Sequence, residues 1–103
     1  MRKIEQRMNA AILGGFNWSS GNTAVNNCDG VSHVFLHGNK IAEIGDSEIT
    51  LMDGGWQSNT TKSRLNAILQ VHGLDGERIF QKNFKWFLDC GDEKIEFVSG
   101  MTL

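Results

Sequence analysis

The side chains in this sequence best suited to metal binding or nucleophilic chemistry are its histidines and its two cysteines. His33 and His37 are four positions apart, and on a β-strand this spacing places them on one face about 13 Å from each other, too far to share a metal ion. Cys28 adjoins Asp29, and Cys90 lies among acidic residues, so neither setting activates a thiol. The cysteines match no zinc or redox spacing. We therefore predict no metal, no cofactor and no thiol nucleophile.

Local motifs of common catalytic sites are also missing from the sequence. It contains no Gly-x-Ser-x-Gly elbow, and the pairs Gly14-Gly15 and Gly54-Gly55 lack the spacing and the following Lys-Ser/Thr of a phosphate-binding loop. The acidic residues occur singly, without the clustering typical of a divalent-ion site. We therefore predict that the protein is not an enzyme.

Binding through polar and aromatic side chains is the stronger prediction. Trp56 follows two glycines in a polar stretch. A loop there can hold the indole exposed as an anchor for a partner protein, or the indole can fold back against the next helix near Leu65. The other candidate binding residues lie on that helix and on the hairpin after it: Thr60, Lys62, Arg64, Asn66, Arg78, Lys82 and Lys85.

The basic members of this set also support an alternative, nucleic-acid binding. Lys62 and Arg64 flank a helix start whose free N–H groups can hold a phosphate. The hairpin interleaves basic and aromatic residues, as single-strand stacking surfaces do: Arg78, Lys82, Phe84, Lys85 and Trp86. A half-buried hairpin with a solvated face has the same composition, and neither an RNA-recognition submotif nor a helix-turn-helix is present.

Net charge argues against a general attraction to nucleic acid or to an anionic membrane, because the 103 residues carry −2 and the pI is about 5.8. The charge is nevertheless arranged in blocks. Residues 1–7 and 62–85 are net basic, whereas residues 28–53 and 89–96 are net acidic. This alternation is compatible with a self-complementary surface, and so with a homodimer, but an ordinary solvated surface shows it too.

Compartment and domain organisation follow from composition. The start of the chain lacks the apolar core of a signal peptide, and no apolar run is long enough to span a bilayer. We therefore expect a cytoplasmic protein with free thiols and no membrane association.

An apolar content of 40% and a charged content of 21% are ordinary for one globular domain over residues 1–103. Residues 89–103 are expected to form an acidic extension that contains a strand.

The sequence predicts two helices and several short strands as the framework for these candidate residues. Residues 2–13 form the first predicted helix, with Met8 and Ile12 on its inner face and Asn9 outside, ended by Gly14-Gly15. Four strands follow, separated by Asp29-Gly30, Gly38-Asn39 and Gly45-Asp46: Thr23–Asn27, Val31–His37, Lys40–Ile44 and Glu48–Met52. Ser19 to Asn22 is expected to be a turn.

A central amphipathic helix and a second set of strands complete the prediction. In the helix, Leu65, Ile68, Leu69 and His72 fall on one stripe. Asn59, Thr60 or Thr61 is expected to cap its start, and Gly73 its end in the left-handed region. The later strands are Glu77–Lys82, Lys85–Cys90 and Lys94–Val98. This order predicts an α+β fold: an N-terminal helix, an antiparallel meander, the central helix and short antiparallel strands.

Three segments, residues 17–23, 36–42 and 55–67, resemble a family of small proteins encoded by tailed bacteriophages. The most specific segment has the pattern Gly-Trp-x-x-x-Thr-Thr-Lys-x-Arg-Leu-Asn-Ala, and the resemblance extends over roughly residues 1–88. It brings no activity, cofactor or catalytic residue with it. It implies a phage accessory protein that acts in the cytoplasm of the infected bacterium. Because small non-enzymatic phage proteins commonly bind and block host or defence proteins, we predict that this protein binds one and modulates it by occupancy.

Overall fold

Two helices and nine strands make up the computed structural model, which describes all 103 residues. In chain order they are α1 (Lys3–Gly14), β1 (Trp18–Ser20), β2 (Thr23–Cys28), β3 (Val31–Leu36), β4 (Asn39–Ile44), β5 (Ile49–Leu51), α2 (Asn59–His72), β6 (Arg78–Lys82), β7 (Lys85–Asp89), β8 (Lys94–Glu96) and β9 (Met101–Thr102). The α+β prediction is confirmed, including the order of helix, meander, helix and later strands.

The strands form two antiparallel sheets. Six strands pair in the order β1-β2-β3-β4-β5-β9, and three pair in the order β6-β7-β8. Tight turns connect the meander because their residues adopt positive φ: His37 and Gly38, at 52° and 79°, form the turn between β3 and β4. The prediction placed this turn one residue later, at Gly38-Asn39. As a result His37 lies in the turn and not on the strand.

Two strands of the first sheet were not predicted. Ser19 and Ser20 belong to β1 and not to a turn, since they pair with β2. The last strand, β9, returns from the second sheet and pairs with β5, with Thr50 opposite Thr102. The predicted extension over residues 89–103 therefore contributes to both sheets, and its Phe97 is buried in the core.

Capping of α2 differs from the prediction at both ends. Ser58 is the N-cap, and its hydroxyl accepts a hydrogen bond from the Thr61 N–H at 3.1 Å. Gly73 ends the helix in an extended conformation, with φ of −84°, and not in the left-handed region. A side chain would nevertheless be excluded there, because a Cβ on Gly73 would lie 2.7 Å from the Leu69 carbonyl oxygen.

Both helices and both sheets contribute to a single cluster of 19 buried apolar residues. The predicted stripe on α2 is confirmed for Leu65, Ile68 and Leu69, which are fully buried, while His72 is half-buried. Asn9 was expected to face solvent but is buried, and its side-chain amide donates to the Ala67 carbonyl at 3.0 Å. This bond joins α1 to α2.

A buried ion pair crosses this core. The Arg64 guanidinium on α2 donates to the Glu5 carboxylate on α1 at 2.8 Å, and both side chains are almost fully buried. Arg64 also donates to the Thr23 hydroxyl on β2 at 3.0 Å, and the Ser63 hydroxyl donates to Glu5 at 2.6 Å. The ion pair therefore ties two helices and the first sheet together, with most of its polar atoms satisfied.

We expect Arg64→Leu to lower the free energy of unfolding by roughly 3–5 kcal/mol, because it leaves the Glu5 carboxylate buried without its partner. Urea denaturation of the variant measures this loss. The double variant Glu5→Leu/Arg64→Leu removes both charges and should recover a large part of it. If the double variant is less stable than Arg64→Leu alone, the charge of Glu5 is not the cause.

The same network makes stability depend on pH. Burial raises the pKa of Glu5, but hydrogen bonds from Ser63, from the Arg2 N–H and from Arg64 outweigh it and hold the pKa below its usual 4.5. A lowered pKa in the folded state adds stability above about pH 4.5, and that stability is lost as the pH falls through the folded value. We therefore expect the difference in unfolding free energy between wild type and Glu5→Gln to shrink between pH 6 and pH 3. A difference that stays constant would contradict this account.

Candidate functional site

A cleft of about 260 Å³ opens between the β3–β4 turn, the loop of residues 52–58 and the first turn of α2. We call it the Trp56 cleft. Its lining residues are Leu36, His37, Asn39, Ile41, Asp53, Gly54, Trp56, Ser58, Thr60 and Thr61. Two of the predicted binding residues, Trp56 and Thr60, are therefore brought together here.

The loop that carries Trp56 is fixed by hydrogen bonds. The Asp53 carboxylate accepts from the Gly55 N–H at 2.8 Å and from the Gln57 side chain at 3.3 Å. The Trp56 N–H donates to the Asp53 carbonyl at 3.2 Å, and the Trp56 carbonyl accepts from the Ser58 N–H at 3.0 Å. These bonds hold the backbone on both sides of Trp56 in one conformation.

The indole itself remains in solvent. Trp56 is 76% exposed, although its backbone is tied to the start of α2 through the Thr61 hydroxyl, which donates to the Trp56 carbonyl at 3.3 Å. Of the two alternatives for this residue, the structure supports the exposed one. A large apolar side chain is thus presented on an ordered loop at the edge of a cleft.

Two basic candidates lie close to the start of α2, with different surroundings. Lys62 is half-buried and forms no ion pair, so its ammonium group is available to a partner. Arg64 is only 3% exposed, and its guanidinium donates hydrogen bonds to the side chains of Glu5, Thr23 and Asn22. Its prediction as a surface binding residue is corrected by this burial: a guanidinium this enclosed cannot reach a partner.

Asn66 also has a structural partner in place of an external one. Its side-chain amide donates to the Ile79 carbonyl at 2.9 Å, and its side-chain oxygen accepts from the Ile79 N–H at 2.6 Å. This two-way pairing fastens α2 to the edge strand β6. Asn66 therefore attaches the second sheet to α2, and its side-chain amide is already hydrogen-bonded within the protein.

The remaining basic candidates are on the second sheet and do not line the Trp56 cleft. Arg78, Lys82 and Lys85 are exposed on β6 and β7. Trp86, expected to alternate with them as a stacking residue, is 2% exposed and packs edge-on against Phe97. Phe84, the other aromatic residue of the predicted stacking set, is 94% exposed in the turn between β6 and β7, and Phe80 and Phe87 are half-buried on the outer side of the sheet.

Comparison with known proteins identifies the family. The model of the Kyanoviridae Gp96 protein family matches residues 1–103, the whole chain. This chain belongs to that family of phage proteins. No curated protein and no solved structure matches it. The predicted relation to small phage proteins is thereby confirmed, and it extends past residue 88 into the acidic tail. The length and polarity of α1 and α2 exclude both helices of this phage protein as membrane-spanning segments.

Sequence reasoning missed several residues that shape the cleft of this phage protein. Asp53 organises the loop, and His37 and Asn39 form the opposite wall. An aspartate just before Gly54-Gly55 is a signal that was available, because Asp side chains commonly accept from N–H groups two residues later. The contribution of His37 and Asn39 depends on how the meander folds against the loop, which local sequence does not show.

The Cys90 thiol is in a setting that does not favour nucleophilic chemistry. Both cysteines are free and exposed. Burial and the charges of Glu77, Glu93 and Asp89 raise the pKa of Cys90, which keeps it protonated near neutral pH. His33 lies 3.3 Å from the Glu43 carboxylate, and no group of three potential metal ligands is present.

The two glycines before Trp56 allow a test of how the loop is built. Gly54 has φ of 68°, and a Cβ there would lie 3.2 Å from both the Asn39 Cβ and the Ile41 Cγ2; Gly55 has φ of 89° with no atom within 4 Å. We expect Gly55→Ala to lose roughly 1–2 kcal/mol of unfolding free energy from backbone strain alone, and Gly54→Ala to lose more. Thermal unfolding of the matched pair measures the difference, and equal losses would show that the close contact is unimportant.

Proposed function

We propose that this phage protein is a non-enzymatic binding protein. It docks on a host or defence protein in the cytoplasm of the infected bacterium and modulates that protein by occupancy. The observation that carries the proposal is the 76% exposed indole of Trp56 on a loop whose backbone is held by hydrogen bonds on both sides. Membership of a phage protein family supports the setting.

The energetics of association favour such an anchor. Burying a tryptophan removes about 150–250 Å² from water, and tryptophans are enriched among the few interface residues that dominate binding. An ordered loop also loses little conformational entropy when the partner binds. The fixed loop between Asp53 and Ser58 therefore converts more of the buried area at Trp56 into affinity than a mobile loop would.

At about 260 Å³ the Trp56 cleft is a small surface depression bordered by the exposed indole. It has room for one or two side chains of a partner. Asn39, Asp53 and Thr60 supply polar groups around it, as the rim of a protein interface does.

A stable complex must extend beyond the cleft, since specific interfaces bury on the order of 800 Å² on each partner. The start of α2 is the natural continuation, because Lys62 there has no ion pair within the chain. The lysine would lie at the margin of the interface, where a charge influences the association rate more than the affinity.

The test begins with affinity purification of the tagged phage protein from infected cells, followed by mass spectrometry and measurement of binding to the purified partner. We expect Trp56→Ala to weaken binding by roughly 30- to 1,000-fold, which corresponds to a tryptophan hot spot of about 2–4 kcal/mol. Leu13→Ala is the matched control, because Leu13 is 78% exposed and lies on α1, outside the cleft. Its affinity should equal that of wild type.

Two outcomes would contradict the proposal. Equal affinities for wild type and Trp56→Ala would remove the indole from the interface. A doubled mass in light scattering that reverts to a monomer only in Trp56→Ala would assign the cleft to a homodimer instead of a host protein.

A further inference from the structure

The outer face of the second sheet carries a second site that the Trp56 cleft does not explain. A shallow cavity of about 520 Å³ lies over β6, β7 and β8, and none of its lining residues lines the Trp56 cleft. We call this surface the hairpin face; the residues that line its cavity are Phe80, Lys82, Asn83, Lys85, Phe87 and Lys94.

The register of the strands produces this grouping. Phe80 is directly opposite Phe87, and Lys82 is directly opposite Lys85, so the four side chains lie on one side of the sheet. Ile79, Trp86 and Leu88 point to the other side and are buried in the core. The two phenylalanines are only half-buried, because nothing in the chain covers the outer side.

The aromatic rings form a stacked pair. The ring centroids of Phe80 and Phe87 are 5.6 Å apart with an interplanar angle of 22°. The Arg78 guanidinium lies 5.3 Å from the centroid of Phe80 and extends the stack by one planar cation. The centre of the hairpin face is therefore a short row of planar groups.

Positive charge surrounds the row unevenly. Lys82 and Lys85 form no ion pair, whereas Arg78 lies 3.8 Å from the Asp89 carboxylate. Lys94 and Glu96 on β8 are opposite Asp89 and Phe87, respectively. Among the strand residues on this side, Arg78, Lys82, Lys85 and Lys94 are balanced against Asp89 and Glu96, a net charge of +2, and the turn before Lys94 adds the exposed acidic residues Asp92 and Glu93. Lys82 and Lys85 are at the turn end of the hairpin, whereas Lys94, which also forms no ion pair, is opposite Asp89.

We propose that the hairpin face binds single-stranded nucleic acid, with bases stacking on the Phe80–Phe87 row and phosphates paired with Lys82, Lys85 and Lys94. Unpaired bases expose the flat surfaces that aromatic side chains stack on, and each phosphate supplies an anion for a lysine. A duplex hides its base faces, and an acidic peptide uses the lysines but leaves the row of rings unused. A single strand satisfies both parts of the surface.

The test is fluorescence anisotropy of the full chain with a labelled oligothymidylate of about 15 nucleotides, long enough to exceed the site. We expect saturable binding with a dissociation constant of roughly 1–100 μM that weakens between about 50 and 200 mM NaCl. Phe87→Leu keeps an apolar side chain but removes the ring, and it should weaken binding roughly 5- to 100-fold. Phe16→Leu is its matched control on a half-exposed ring elsewhere and should bind as wild type does.

The lysines provide a second, independent arm with no risk to folding, because both are exposed. Lys82→Ala/Lys85→Ala should reduce the slope of log affinity against log salt by about 1.4, from two lost phosphate contacts. Lys3→Ala/Arg7→Ala makes the same change in net charge on the exposed side of α1 and should leave the slope unchanged. Trp56→Ala should leave oligonucleotide binding unchanged. A failure of this proposal can therefore be distinguished from a failure of the proposed protein docking at the Trp56 cleft.

Four results would overturn the proposal. The first is no saturable binding up to about 300 μM protein, and the second is tighter binding to a duplex of the same sequence than to the single strand. The third is an equal change of salt slope in Lys82→Ala/Lys85→Ala and in Lys3→Ala/Arg7→Ala. The fourth is binding of polyglutamate as tight as that of the oligonucleotide, with no weakening in Phe87→Leu. The last result would assign the face to an acidic peptide instead.

Discussion

The ion pair between Arg64 and Glu5 is the constraint on which the arrangement of the two helices depends. Removing two charges from water costs several kcal/mol for each ion, so the pair is stable only where other groups complete its hydrogen bonds. Thr23 on β2 and Ser63 on α2 are those groups. Together with the Asn9–Ala67 bond and the shared apolar core, these hydrogen bonds position α2 relative to α1 and the first sheet. The start of α2, and with it the loop that carries Trp56, is located by the same requirement.

From that fixed helix the two proposed surfaces are positioned by different bonds. Ser58 caps α2 and continues into the hydrogen bonds of the Trp56 loop, so the cleft is attached to the first turn of the helix. The second sheet is attached farther along, where Asn66 pairs with both backbone groups of Ile79. The Trp56 cleft and the hairpin face have no lining residue in common. A substitution in one of them therefore leaves the side chains that line the other unchanged.

Local sequence predicted what local interactions determine. The α2 stripe, the Asp29-Gly30 turn and the pairing of β6 with β7 depend on residues close in the chain, and they were found correctly, whereas the turn at Gly38 was placed one residue late. Arg64 was misplaced because its burial depends on Glu5, 59 positions earlier. The exposure of Trp56 was left open, since it is decided by Asp53 and by close packing at Gly54. On β7 the alternation was visible, but only the packing of the sheet against the core decides that Trp86 is inside and Phe87 outside.

The net charge of the chain does not describe the charge of the hairpin face. A total of −2 describes the chain as one point, whereas the molecule is 36 Å long and charges are screened beyond about 8–10 Å at physiological salt. A ligand on the hairpin face would therefore respond more to the charges on that face, Lys82 and Lys85 among them, than to the total charge of the chain. The case for an anionic ligand on this face therefore depends on the charges near the Phe80–Phe87 row, and not on the total of −2.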